Sequence, residues 1–181
     1  MDKDFSSFIA RWRVPFGFAL GIAYLIFAQP TLPLLIAGSI VALTGLGIRA
    51  YAAGYLEKDR SLATGGPYAY TRNPLYLGSL FIGIGLVVAG AQWVLGLAFV
   101  IFFLFVYGPV MRREEKNLRQ RFGQKYEAYA DATPLFLPFR KSIMLQNETF
   151  EWKRYRRNRE YEAALGYLVG IIFLIMKILL R

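Results

Sequence analysis

Long apolar runs without a polar stripe dominate the chain. Five of them cover residues 14–28, 32–53, 75–91, 93–111 and 163–180. A helix that is apolar on every side must be surrounded by lipid or by other protein. Crossing the hydrocarbon core takes about 20 such residues. The second, fourth and fifth runs reach that length, the first does so if its helix begins near Phe8, and the third is short. The pattern predicts an all-α, polytopic integral membrane bundle of five transmembrane helices, one membrane domain over residues 1–181. Gln29-Pro30-Thr31-Leu32-Pro33 and Gly90-Ala91-Gln92 predict tight turns, the second closing a helical hairpin. Gly17 and Gly21 stand one helical turn apart, as do Gly38 and Ala42, a spacing that lets transmembrane helices approach closely. Two polar stretches interrupt the runs. Residues 57–74 read as a loop. Residues 112–138 read as a cytoplasmic amphipathic helix, because Leu118, Phe122, Tyr126 and Tyr129 recur at helical spacing before Thr133-Pro134 and Leu137-Pro138 stop it.

Charge orients the bundle. The chain has 22 Lys and Arg against 12 Asp and Glu, a formal net charge of +10. Every basic residue except Lys177 and Arg181 precedes the first run, lies at the end of the second (Arg49) or between the second and third, or lies between the fourth and fifth, whereas the turns at 29–31 and 90–92 carry none. The positive-inside rule puts the charged side in the cytoplasm, with the N-terminus inside and the C-terminus outside. Lys177 and Arg181 then snorkel to the far interface. The cluster Lys153-Arg154-Tyr155-Arg156-Arg157-Asn158-Arg159 mixes basic and aromatic residues, but it directly precedes an apolar run. There it serves topology and anionic lipid headgroups, not nucleic acid. Asp2 and Asp4 weaken a basic leader and no A-x-A-like site follows, so a cleaved signal peptide is not expected. Cys and His are absent. That excludes thiol nucleophiles, disulfides, zincin motifs and His-based triads, and no metal site is expected.

Three constellations retain chemistry. Asn73-Pro74 is a helix start, with Asn as N-cap and Pro at the first helical position. Arg72 stands just before it. A guanidinium beside a helix N-terminus suits a carboxylate or phosphate, and it equally suits an ordinary capped helix anchored to lipid headgroups. Gly83-Ile84-Gly85 lies inside the third apolar run, which excludes the strand–turn–helix setting of a dinucleotide fingerprint. Glycines there admit a neighbouring helix or a ligand. Glu114-Glu115 ends the fourth run, where carboxylates oppose the helix dipole. Arg112, Arg113 and an i,i+4 pair of Glu115 with Arg119 offset that cost; the alternative role is to bind a cationic or hydroxyl-rich ligand.

In order and spacing these pieces resemble the superfamily of isoprenylcysteine carboxyl methyltransferases and phospholipid N-methyltransferases, integral membrane enzymes that use S-adenosylmethionine. The resemblance is carried by Gly66-Pro67-Tyr68-Ala69-Tyr70-Thr71-Arg72-Asn73-Pro74-Leu75-Tyr76-Leu77-Gly78, then Glu114-Glu115, Leu118, Phe122-Gly123-Gln124-Lys125-Tyr126-Glu127-Ala128-Tyr129 and Pro134. Gly83-Ile84-Gly85 is similar to the Gly-x-Gly of the phospholipid branch. Asn73 stands where the family pattern has His, and its amide can hydrogen-bond but cannot titrate. The likeness covers residues 64–138, a methyltransferase-like core; residues 139–181 form a basic linker plus an extra C-terminal span beyond it.

The resemblance implies S-adenosylmethionine at the cytoplasmic interface, bound among Pro67, Tyr68, Tyr70, Arg72, Asn73, Pro74, Tyr76, Gly83, Gly85, Glu114 and Glu115. Arg72 and Asn73 are expected at the methionyl carboxylate, one glutamate at the ribose hydroxyls or the α-ammonium, and Tyr76 along the methyl-transfer channel. Arg72, Tyr76 and Glu115 are the expected catalytic residues. The implied acceptor is a membrane lipid or a prenylated, lipophilic molecule entering from the bilayer, with an isoprenylcysteine carboxylate first. Phospholipid N-methylation, NADPH-dependent membrane reduction and a noncatalytic membrane role are the alternatives.

Overall fold

The computed structural model describes residues 3–57, 60–138 and 148–180, with side chains in the first helix from Pro15 onward. Lys58, Arg181 and the linker residues 139–147 lie outside the described residues, as do the side chains of Lys3, Arg11 and Arg13. The protein is helical, with no strand among the described residues. The order is α1 (Lys3–Phe27), α2 (Leu32–Tyr55), a 3-10 turn (Gly66–Ala69), α3 (Pro74–Gly90), α4 (Trp93–Phe102), a π turn (Phe103–Tyr107), α5 (Gly108–Phe122), α6 (Gln124–Ala132), α7 (Trp152–Arg157) and α8 (Tyr161–Leu179). Three helices are long and apolar enough to cross a membrane: Leu32–Tyr55, Trp93–Phe122 and Tyr161–Leu179. Pro15–Phe27 and Pro74–Gly90 are shorter apolar helices.

Glycine brings α2 and α3 into backbone contact. A Cβ on Gly45 would lie 2.5 Å from the Gly78 carbonyl oxygen, and one on Gly85 would lie 2.5 Å from the Ala42 amide nitrogen. Gly38 meets Gly85 and Ala89 in the same way. The expected role of Gly38 and Ala42 is therefore realised. At the other pair, Gly17 meets the Phe102 ring at 3.8 Å, and no described residue lies within 4 Å of a Cβ on Gly21.

Both uncharged turns occupy one end of the bundle, where Gln29 N–H donates to the Gly90 carbonyl at 2.8 Å. The end of α8 lies there too. Lys177 Nζ donates to the carbonyls of Leu25 and Ile26 at 3.0 and 2.7 Å, satisfying acceptors left free at the end of α1.

The fourth apolar run and the basic stretch after it form one rod of 30 residues, Trp93–Phe122. The π turn falls just before Gly108-Pro109. Proline has no N–H for the helical ladder, and a widened turn absorbs that gap. At Gly123 the backbone enters the left-handed region at φ 51°, ending α5 and starting α6. The single amphipathic helix expected over residues 112–138 is thus two helices, with Leu118 and Phe122 on α5 and the buried Tyr126 and Tyr129 on α6.

Candidate active site

The loop before α3 is stitched to α6 and to the residues that follow it. Tyr129 OH donates to the Tyr68 carbonyl at 2.7 Å, and Arg72 N–H donates to the Pro134 carbonyl at 3.0 Å. Asn73 stands at the N-cap position without capping. Its Nδ2 donates instead to the Leu135 carbonyl at 2.9 Å, while its own N–H donates to Thr71 Oγ1 at 3.2 Å. A nearby carbonyl from a distant segment has taken the side chain that local sequence assigns to the helix. Pro74 does open α3, and it is buried.

This clamp brings two distant segments together. Arg72 Nη1 lies 2.7 Å from Glu115 Oε1 and 3.4 Å from the Tyr126 hydroxyl. Arg119 Nη2 reaches the same Glu115 oxygen at 3.2 Å, so the expected i,i+4 pair exists alongside the contact to Arg72. Arg119 also holds Glu127 at 2.6 Å. Tyr76 OH donates to Glu114 Oε1 at 2.7 Å. The Arg72 and Glu115 side chains are only 13% and 18% exposed, so their charges are poorly screened. Burial pushes the Tyr126 hydroxyl above its usual pKa, and the Arg72 guanidinium opposes that rise. Burial likewise raises Tyr68 and Tyr129. Arg72 Nε and the Tyr68, Thr64 and Thr133 hydroxyls are buried with no hydrogen-bond partner among the described residues. Such atoms cost about 1–3 kcal/mol each unless a ligand or water satisfies them.

Beside this polar cluster an apolar cavity of ≈ 370 Å³ opens between α3 and α4, lined by Leu80, Ile84, Val87, Phe99, Phe103 and Phe136 among others. A run of rings joins the two. Tyr107 lies 5.3 Å from Tyr76 and 5.0 Å from Phe103, which lies 5.9 Å from Phe136. Phe103, Tyr107 and Phe136 are absent from the sequence-derived site. The available signal was the aromatic density of residues 102–107 immediately before Gly108-Pro109.

Residues 19–125 match the phospholipid methyltransferase family. The chain belongs to that family. It is 31% identical over 153 residues to the cobalt-zinc-cadmium resistance protein CzcN of Cupriavidus metallidurans, covering 76% of this chain and 69% of that protein. It is 27% identical over 141 residues to the protein-S-isoprenylcysteine O-methyltransferase of Schizosaccharomyces pombe, covering 75% of this chain and 59% of the yeast protein. A third relative, protein-S-isoprenylcysteine O-methyltransferase B of Arabidopsis thaliana, is 31% identical over 83 residues, 46% of this chain and 42% of the plant protein. No solved structure matches. Among the described residues no group of three or more His, Cys, Asp or Glu could hold a metal ion.

In this phospholipid methyltransferase family member the remaining motif residues divide by role. Pro67 builds the 3-10 turn, its carbonyl accepting the amides of Tyr70 and Thr71 at 3.1 and 3.3 Å. Tyr68 is buried on that turn, and Tyr70 is exposed. Gly83 faces the Phe99 ring of α4, and Gly85 faces the backbone of α2. Of the two roles open to these glycines, neighbouring helices occupy the space in both cases.

Proposed function

We propose that this chain is an S-adenosylmethionine-dependent methyltransferase that acts on a lipophilic acceptor at the cytoplasmic face of a five-span bundle. The observation that carries the reading is the meeting of Arg72 and Tyr76 with Glu115 and Glu114, joined through Tyr107 to an apolar cavity. The residues fit the cofactor. Arg72, with its buried and unpartnered Nε, suits a carboxylate, and the two glutamates suit an ammonium or a ribose diol. When bound, S-adenosylmethionine supplies a methyl group on a positively charged sulfur, open to in-line displacement.

The side chains then have separable tasks. Arg72 and Glu115 neutralise one another in the free protein, so a zwitterion placed between them exchanges one ion pair for two and strands no buried charge. Asn73 holds residues 134–136 against the start of α3 where the family pattern has a titratable His. Tyr68 and Pro74 pack beneath that start, Gly83 admits the Phe99 ring, and Gly85 lets α2 and α3 meet. Tyr76 and Tyr107 wall the channel and exclude water, so that the reacting groups are held in line.

Relatives named as isoprenylcysteine O-methyltransferases direct the acceptor towards a prenylated cysteine carboxylate. A carboxylate is ionised at neutral pH and needs no base, which suits a chain without His or Cys. Its tail would lose about 0.8 kcal/mol per CH₂ on passing through water, and the α3–α4 cavity spares it that passage. A phospholipid amine is the second reading. The Tyr76–Glu114 hydrogen bond favours it, because a carboxylate there can take the proton an ammonium must lose.

Five spans are supported by the shared end of the two uncharged turns and of α8, which makes α1 and α3 run alongside the longer helices. The opposite end carries Arg72, α5 and α7, and is assigned to the cytoplasm and its anionic headgroups. Calorimetry on the detergent-solubilised protein tests the cofactor: S-adenosylmethionine or its demethylated product binds saturably and NADPH does not, and the converse result overturns the reading. Labelled methyl donor offered with a prenylated cysteine and with phosphatidylethanolamine then separates base-labile ester from stable N-methyl product.

A further inference from the structure

Beyond the family-matched region, residues 148–160 return to the site and bond to its backbone. Glu148 Oε2 accepts the amides of Gly65 and Thr64 at 3.0 and 3.4 Å, at the head of the turn that carries Tyr68. The Phe150 ring rests on Gly54, where a side chain would collide with it. Asn158 Nδ2 donates to the carbonyls of Ala53 and Leu56, both at 2.9 Å, closing the end of α2.

The innermost contact of this segment is an ion pair. Glu160 is 8% exposed and Arg49 of α2 is 22% exposed. Arg49 Nη2 and Nε reach Glu160 Oε2 at 2.7 and 2.9 Å. That leaves Nη1, which donates to Ser79 Oγ at 2.5 Å and to the Leu75 carbonyl at 3.3 Å. Leu75 and Ser79 are the i and i+4 positions that bracket Tyr76 in the first turn of α3. Gly78 admits the arginine stem, since a Cβ there would lie 2.6 Å from Arg49 Cγ. The fully buried Tyr68 hydroxyl feels the charges of Glu160, Glu114 and Arg49 and has no partner among the described residues. An apolar contact of similar volume could anchor the start of α8 equally well. It could not aim a guanidinium at one carbonyl and one hydroxyl of α3.

We propose that Glu160 is a positioning residue for the methyltransferase site: through Arg49 it sets the first turn of α3, and so the placement of Tyr76 and Arg72. The inference rests on the function proposed above. It makes the segment after the family core part of the working site.

The test uses the full chain in detergent with three variants: Glu160→Gln, Glu160→Asp, and the exchange Arg49→Glu with Glu160→Arg. Amide hydrogen exchange along α3 and affinity for S-adenosylhomocysteine are measured together. Expected for Glu160→Gln is faster exchange over residues 75–80, unchanged exchange over residues 84–90, and an affinity about tenfold weaker, or ~1.4 kcal/mol. Glu160→Asp should recover most of that loss because it keeps the charge, whereas the exchanged pair should recover none, because a carboxylate at position 49 cannot donate to the Leu75 carbonyl. Unchanged exchange over residues 75–80, unchanged affinity, or a uniform rise along all of α3 overturns the proposal. If the unsubstituted protein binds no S-adenosylhomocysteine, the methyltransferase reading fails and takes this one with it. Binding by the unsubstituted protein with an indifferent Gln variant overturns the positioning role alone.

Discussion

The two ends of α3 are held by different physics. Along its apolar length Gly78 and Gly85 lie against Gly45, Gly38 and Ala42 of α2, backbone on backbone. At its N-terminal start the contacts are ions and hydrogen bonds: Arg72 with Glu115, Tyr76 with Glu114, and Arg49 with Ser79. Repulsion between backbones rises steeply and has no alternative arrangement to relax into. Hydrogen bonds and ion pairs can exchange partners, because a ligand with matching groups replaces what it displaces. One end of the helix therefore suits a rigid frame and the other an exchangeable site. The same contrast separates α2 from α8. A fifth of the α2 span (22%) is buried against protein, whereas only 6% of the α8 span is, so α8 is held chiefly at its ends by Glu160 and Lys177.

The strongest challenge to this contrast is Gly85→Val. Its side chain would enter the backbone of α2, and overpacking without room to yield should cost about 3 kcal/mol or more. Thermal unfolding in detergent should show a large fall in Tm or loss of folded protein. Gly83→Ala meets only the edge of the Phe99 ring, which can swing aside, so its cost should stay near ~1 kcal/mol. Equal damage from the two would break the distinction between backbone and side-chain neighbours.

Glu115→Ala acts at the other end. It should weaken S-adenosylhomocysteine by ~1.5–3 kcal/mol, the range for a hydrogen bond to a charged group. Tm should fall less than for Gly85→Val, because Arg72 keeps Tyr126 nearby. Calorimetry on Glu115→Ala and Glu114→Ala sharpens the assignment: loss in the second alone exchanges their roles, and normal binding by both makes the acidic pair structural.

The smallest effect belongs to Gly21→Ala. No described residue lies within 4 Å of the new methyl, and alanine is the better helix former by roughly 1 kcal/mol. Tm should hold or rise slightly. A clear fall would mean that α1 makes a close approach at Gly21 after all.

The sequence alone determined the properties that depend on a residue and its near neighbours. Apolar runs made the chain helical and membrane-embedded, Pro74 opened α3, and the order of Tyr68, Arg72, Tyr76, Glu114 and Glu115 marked the family, because hydrophobicity and turn preference act within a few residues. Tertiary structure decided which of those groups meet. The π turn at Phe103–Tyr107 shifts the phase of a 30-residue rod, so no count along an ideal helix tells which glutamate faces Arg72 and which faces Tyr76. The Leu135 carbonyl draws Asn73 away from the cap that local preference assigns to it. Gly83 and Gly85 read alike in sequence and differ only in what stands opposite them, a ring or a backbone. Arg49 and Glu160 are 111 residues apart, and no local preference links them. A short-range pattern can specify that a charge is costly to bury; only the packed chain decides which opposite charge offsets that cost.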